Sequence, residues 1–181
     1  MADIEAPIKS LLRTKLEKDF FIFDSLEGRH KHTGELVKYD LVLKPRQKLI
    51  ENGFDDGYVV VVTKLFNLEE SKKHDTKAKD MLWQCVAYSF SEIKLSDESL
   101  EKPLFVLYYM SGSFDSKYAE RLRLLHHFVQ RGGVGRLDFN KNDGWEMVFG
   151  GSFYFRQKFG KGPHHVGTKR QTGSSRWLFF V

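Results

Sequence analysis

The chain has 181 residues, 41% of them hydrophobic and 14% aromatic, which is enough for one domain with a real core and excludes a disordered protein. A single cysteine, Cys85, excludes a disulfide framework and a Cys-based zinc cluster, and it fits a reducing compartment. The net charge of +5 suits an anionic partner, and its distribution says more: no acidic side chain follows Glu146.

Residues 4–18 read as an amphipathic helix, with Ile4, Ile8, Leu11, Leu12 and Leu16 at helical spacing. Asp3 suits its N-cap, and Pro7 is tolerated in a first turn whose amides lack partners. Phe20 to Phe23 begin a strand and Leu36 to Leu43 form another, joined through Gly28 and Thr33-Gly34 as a hairpin connection. A short helical segment, Arg46 to Glu51, follows Pro45 and stops at Asn52-Gly53. Tyr58 to Phe66 is a nearly all-apolar strand without alternation, so both its faces are expected to be buried at the centre of a sheet. Residues 74–93 read as a long helix in which Cys85 is a buried, inert thiol. Lys102 to Met110 is a fourth apolar strand, and 116–131 is a helix with Leu122, Leu125, Phe128 and Val129 as its core stripe. Residues 134–181 read as short strands and Gly-rich turns. No repeat or linker divides the chain, so one α/β domain with a mixed sheet is expected over 1–181. The N-terminus, with Asp3 and Glu5, shows no secretory signal, and the run Tyr58 to Val62 is far too short to cross a bilayer. A soluble, intracellular (cytoplasmic) protein with no membrane partner is the expectation.

The residues that carry chemistry are few. Asp40 is a lone acid at the start of an apolar strand, within Val37-Lys38-Tyr39-Asp40-Leu41-Val42-Leu43. Lys64 sits near the end of the buried strand, where a lysine is costly unless it is paired, reaches a polar pocket, or snorkels to solvent. An acid on one strand and an acid-x-Lys on the next would converge, because alternate side chains share a side. Such a cluster holds Mg²⁺ and supplies a cation beside a phosphodiester. Only half of it is present, because position 62 is a valine.

A helix bearing Glu5, a hairpin, Asp40, the Val62-Thr63-Lys64 triplet and a helix carrying Gln84 together resemble the core of PD-(D/E)XK nucleases over roughly residues 4–110. The resemblance implies a restriction-endonuclease-like fold, a central mixed β-sheet flanked by helices, here followed by a helix and a basic, β-rich C-terminal extension over 111–181. It implies a metal-dependent DNA endonuclease using Mg²⁺ or Mn²⁺. In its terms Asp40, position 62 and the Thr63 carbonyl hold the metal and Lys64 is the catalytic lysine. Glu5 is the first-helix acid and a further metal ligand, and Gln84 faces the site from the following helix. Glu5 shares the stripe of Ile8 and Leu12, although a first-turn acid also simply favours the helix dipole. Lys77, Asp80, Gln84 and Tyr88 share one polar stripe opposite Leu82, Val86, Ser89 and Ile93, with Lys77 as a nucleic-acid contact, although ordinary exposure explains the stripe equally well.

Val62 is the departure. Three explanations stand open: the acid has migrated, with Asp80 as the nearest candidate; the domain has lost catalysis and kept DNA binding; or the chain is a variant in which the acid was replaced. Small nucleases that cut both strands commonly dimerise, so a homodimer stays open, and the small size is of the phage or mobile-element kind.

The basic end supplies the second expectation. Arg156, Lys158, Lys161, Lys169, Arg170 and Arg176 lie among Phe153, Tyr154, Phe155 and Phe159, a pattern that reads as a phosphate-contacting surface or as a solvated face. Within it, 167–176 combines small residues with cations, as a DNA-clasping loop or a plain hairpin loop. His30 with His32, His126 with His127, and Gly162-Pro163-His164-His165 are weak metal signals, and Asp55-Asp56-Gly57 reads as a turn. A DNA-binding protein without catalysis, and a protein-interaction factor with a basic tail, remain alternatives to the nuclease.

Overall fold

The computed structural model describes residues 6–66, 74–112, 133–139, 144–149, 152–158 and 162–165. The first helix, α1 (Ala6–Leu16), buries Ile8, Leu12 and Leu16, each spaced one helical repeat from the next. Leu11, expected on that stripe, is 42% exposed, and the stripe is narrower than the sequence suggested. Ile4, Glu5 and the Asp3 cap lie outside the described residues.

Among the described residues, twelve strands follow. β1 (Phe20–Asp24), β4 (Leu41–Pro45), β5 (Val59–Phe66), β8 (Phe105–Gly112), β9 (Val134–Phe139), β10 (Trp145–Phe149), β11 (Ser152–Lys158) and β12 (Gly162–His165) form one sheet in the order β1-β4-β5-β8-β9-β10-β11-β12. β5 runs parallel to β8, and β8 to β9; the other pairs are antiparallel. The expected mixed sheet with a central apolar strand is therefore present. A smaller sheet holds β2 (Glu27–His30), β3 (Leu36–Lys38), β6 (Ser91–Lys94) and β7 (Leu100–Glu101), in the order β3-β2-β6-β7. α2 (Gln47–Glu51) caps the β4–β5 connection, and α3 (His74–Ser89) is the crossover between parallel β5 and β8.

Strand alternation gives the large sheet two cores. Leu41, Leu43, Val59 and Val61 pack with Ile8, Leu12 and Leu16 of α1. Val42, Val60 and Val62 pack on the other face with Met81, Leu82 and Cys85 of α3. Val59 to Val62 are each 0% exposed, so the missing alternation of this strand reflects burial on both faces. Each such valine contributes roughly 1.5–3 kcal/mol relative to an exposed one.

The structure corrects three expected elements. Leu36 to Leu43 is not one strand: β3 belongs to the small sheet and β4 to the large one, with a bend at Asp40. Tyr39, at the break, is 1% exposed, and its ring packs at 4.9 Å on Tyr88. Its amide donates to the Leu26 carbonyl at 2.9 Å, so the chain changes sheets where Tyr39 enters the core. Similarly, α3 ends at Ser89 rather than 93. The hydroxyls of Ser89 and Ser91 donate to the carbonyls of Val86 and Ala87 at 2.6 and 2.8 Å, competing with helix continuation. Ile93 then sits in β6, buried in the α3-side core, instead of on the helix. The fourth core strand runs 105–112 rather than 102–110. Helix 116–131 falls outside the described residues, as do His126 and His127. The first part of the basic end is no appendage, since β11 and β12 extend the large sheet. Among the described residues, no helix is long and apolar enough to cross a membrane.

Candidate functional site

Asp40 and the triplet meet at one end of β4 and β5. Leu41 pairs with Val61, so one further step of the antiparallel register sets Asp40 across from Val62. The contact is specific, because the Thr63 amide donates to Asp40 Oδ2 at 3.1 Å. Amide and carbonyl of one strand residue point to the same side, which turns the Thr63 carbonyl toward Asp40 as well. Val60 and Val62 face α3, and Lys64, two residues on, takes the same face and is half-buried between Val62 and the buried Phe66.

Cys85 of α3 closes the triangle. It is 0% exposed, and burial pushes its thiol far up; Asp40 adds to the shift and Lys64 opposes it. Both charges therefore lie within electrostatic reach of one sulfur. The thiol itself is held neutral, as the inert core cysteine expected from the sequence. Next along the helix, Gln84 Nε2 donates to Tyr88 Oη at 2.6 Å, and Tyr88 Oη donates to the Lys38 carbonyl at 2.7 Å. That chain ties α3 to the backbone two residues before Asp40 and fixes the bend that aims its carboxylate. Gln84 is thus committed to the helix–strand tie.

The polar stripe expected on α3 divides. Tyr88 is buried, Gln84 and Lys77 are half-buried, and Asp80 is exposed. Toward the sheet α3 presents Ala78, Met81, Leu82 and Cys85, so Asp80 is not among the residues it turns to the Asp40–Lys64 face. Trp83, two residues before the buried Cys85, is 71% exposed. Glu5 lies outside the described residues.

At this end of the sheet position 62 offers an isopropyl group, Asp40 accepts the Thr63 amide, and Asp80 is exposed on α3. Among the described residues, no group of three or more His, Cys, Asp or Glu side chains could hold a metal ion. The weaker signals have ordinary accounts. Asp56 pairs with Lys44 at 2.7 Å. His32 lies in the turn after β2 rather than on the strand, with its ring 6.0 Å from that of His30. His164 and His165 are strand residues of β12.

Sequence reasoning missed a second polar group on the same face. Val134 belongs to the α3-side core, so Arg136 and Asp138, two and four residues on, share its side of β9. Arg136 holds Asp138 through Nε at 2.7 Å and Nη2 at 2.6 Å. Glu146 stands across from Asp138, and Tyr108 across from Arg136, its hydroxyl pushed well up by burial. The alternation in Val134-Gly135-Arg136-Leu137-Asp138 was readable, but its neighbours across the sheet were not.

Of the cations assigned to nucleic acid, Arg156 and Lys158 are positions of β11, with Arg156 in register with Glu146. Lys161, Lys169, Arg170 and Arg176 lie outside the described residues. Comparison of the chain with protein-family models, with curated proteins and with solved structures finds no match.

Proposed function

We propose that this chain is a DNA-binding protein on a nuclease-like α/β scaffold, which engages the phosphodiester backbone at the Asp40–Lys64 end of the sheet and through its basic C-terminal end. The observation that carries the reading is the juxtaposition of Asp40 and Lys64 around a fully buried Val62. The order of the large sheet's elements supports it: α1, β1, β4 directly after Asp40, β5 with the triplet, α3 and the parallel β8 come in the order on which the PD-(D/E)XK resemblance rests, with the small sheet's strands and α2 inserted between them. Hydrolysis by that family's chemistry needs clustered acids, and the residues here fit binding better than cutting. Lysine and arginine contacts to phosphate supply affinity without any catalytic step.

Anisotropy of a labelled duplex, titrated with protein over a range of salt, tests the reading. Lys64→Ala is expected to weaken binding. Undetectable or salt-insensitive binding would favour the protein-interaction alternative. A second reading, endonuclease activity with Mg²⁺ or Mn²⁺, draws on the fixed Asp40 carboxylate beside Lys64. Incubation with supercoiled plasmid and either ion decides it: nicking that disappears in Asp40→Ala would replace the binding-only reading. Cleavage gained by Val62→Glu alone would instead locate the loss of catalysis at position 62.

A further inference from the structure

On the α3 face of the large sheet, at the opposite end of the strands from Asp40 and Lys64, aromatic rings and cations interleave. Phe20 and Ile22 of β1 pack toward α1, so Phe21 and Phe23 take the other face. Phe21 is in register with Lys44, and one step beyond the Leu43–Val59 pair sets Lys44 across from Tyr58. The row Phe21, Lys44, Tyr58 thus crosses three neighbouring strands. Lys44 Nζ lies 4.7 Å from the Tyr58 ring centre, and the Arg46 guanidinium lies 4.1 Å from that of Phe21. The rings of Phe23 and Tyr58 are 6.4 Å apart. With these cations in place Phe21 is still 49% exposed and Phe23 38%, on the edge strand of the sheet.

The charge around the patch favours an anion. Lys18, Arg46 and Lys48 all act on one half-buried carboxylate, Asp19, which accepts a hydrogen bond from Trp145 Nε1 at 2.8 Å. The Lys44–Asp56 pair is solvent-exposed on its acid side, and such a pair gives way readily to a competing phosphate. An apolar protein partner would meet a lysine at the centre of its contact, where interfaces are depleted of lysine. A nucleic acid strand uses both components: bases stack on rings and on guanidinium planes, and phosphates take the cations. A duplex hides the faces of its bases and cannot use the rings.

We propose that Phe21, Phe23 and Tyr58, with Lys44 and Arg46, form a stacking platform for a single-stranded nucleic acid, distinct from the Asp40–Lys64 site and independent of the reading given to that site. The test titrates the intact protein into labelled oligo-dT, oligo-U and a matched duplex. Phe21→Leu with Phe23→Leu keeps apolar bulk and removes the aromatic faces, and Phe21→Tyr with Phe23→Tyr restores them. The Leu pair is expected to weaken single-strand binding roughly tenfold per ring, leaving duplex affinity unchanged, and the Tyr pair to bind like wild type. A preference for oligo-U over oligo-dT, or the reverse, identifies the strand within the proposed class. Three results overturn the proposal: no single-strand binding by the wild-type protein, equal loss for duplex and single strand, or no loss in the Leu pair. So does concentration-dependent self-association that the Leu pair abolishes, which would assign the face to a second copy joined through β1. Because the duplex is scored in the same titrations, failure of the Asp40–Lys64 reading is seen separately.

Discussion

Thr63 shows how much a single position can carry. Its amide serves Asp40, while its side chain lies on the opposite face at 0% exposure, and its hydroxyl finds no hydrogen-bond partner among the described residues. A buried hydroxyl without a partner costs about 1–3 kcal/mol, whereas an isosteric methyl costs nothing there. Thr63→Val is therefore expected to raise stability by about 1 kcal/mol, read as a higher urea midpoint with an unchanged slope. Asp19 behaves differently, because its carboxylate is used. Burial raises its pKa above the ordinary 3.8, although the Trp145 indole and nearby cations pull the other way. The folded state then holds this proton more tightly than the unfolded chain does. Its contribution is favourable at low pH and is lost as pH rises through the folded pKa. Asp19→Asn keeps an oxygen for Trp145 Nε1 and removes the charge. The variant should be more stable than wild type at neutral pH, with the gap closing as pH falls through the raised folded pKa toward 3.8. Paired urea titrations across pH would show it, and a gap that widens on acidification would refute the account.

At the scale of elements, Tyr39 separates what the sequence reveals from what it conceals. The apolar run Tyr58 to Phe66 announces a central strand because burial on both faces removes alternation, and β5 is that strand. The stripe Ile8, Leu12, Leu16 likewise announces α1. Leu36 to Leu43 looks equally continuous, yet the chain leaves one sheet and enters another inside it, because Tyr39 packs against Tyr88, which lies 49 residues away. Nothing local encodes that partner. The same holds for Asp40 and Lys64: each residue was visible as an anomaly in an apolar strand, while the Arg136–Asp138–Glu146 group depends on pairings between strands. Gly28 tests the junction. A Cβ there would overlap the Glu92 carbonyl oxygen and come within 2.6 Å of the Tyr39 ring and hydroxyl. Backbone cannot retreat as a flexible side chain would, so Gly28→Ala should cost more than about 3 kcal/mol. The loss should spread to the Asp40 bend, measurable as faster amide exchange at Thr63, whose hydrogen bond to Asp40 depends on that bend.

For the whole molecule the decisive quantity is where the net charge of +5 resides. Along the chain, everything after Glu146 is free of acid, and all six cations beyond it look equivalent. In the fold they are not. β11 lies beside β10, so position 156 sits in register with Glu146, which in turn sits across from Asp138. The row of the sheet through position 156 therefore runs on to two carboxylate-bearing positions, Glu146 in the next strand and Asp138 in the one after it. The residues beyond β12 carry no acid in their own sequence, and Lys169 and Arg170 are the expected phosphate contacts there. Each phosphate contact released changes the slope of log affinity against log salt by about 0.9 on duplex DNA. Lys169→Ala with Arg170→Ala should lower the magnitude of that slope by roughly 1.8, while Arg156→Ala should leave it nearly unchanged. Equal effects from the two sets would show that the row through Glu146 does not restrain Arg156. A slope unmoved by the Lys169 and Arg170 changes would remove the C-terminal end from the interface and leave Lys64 as the cation to examine.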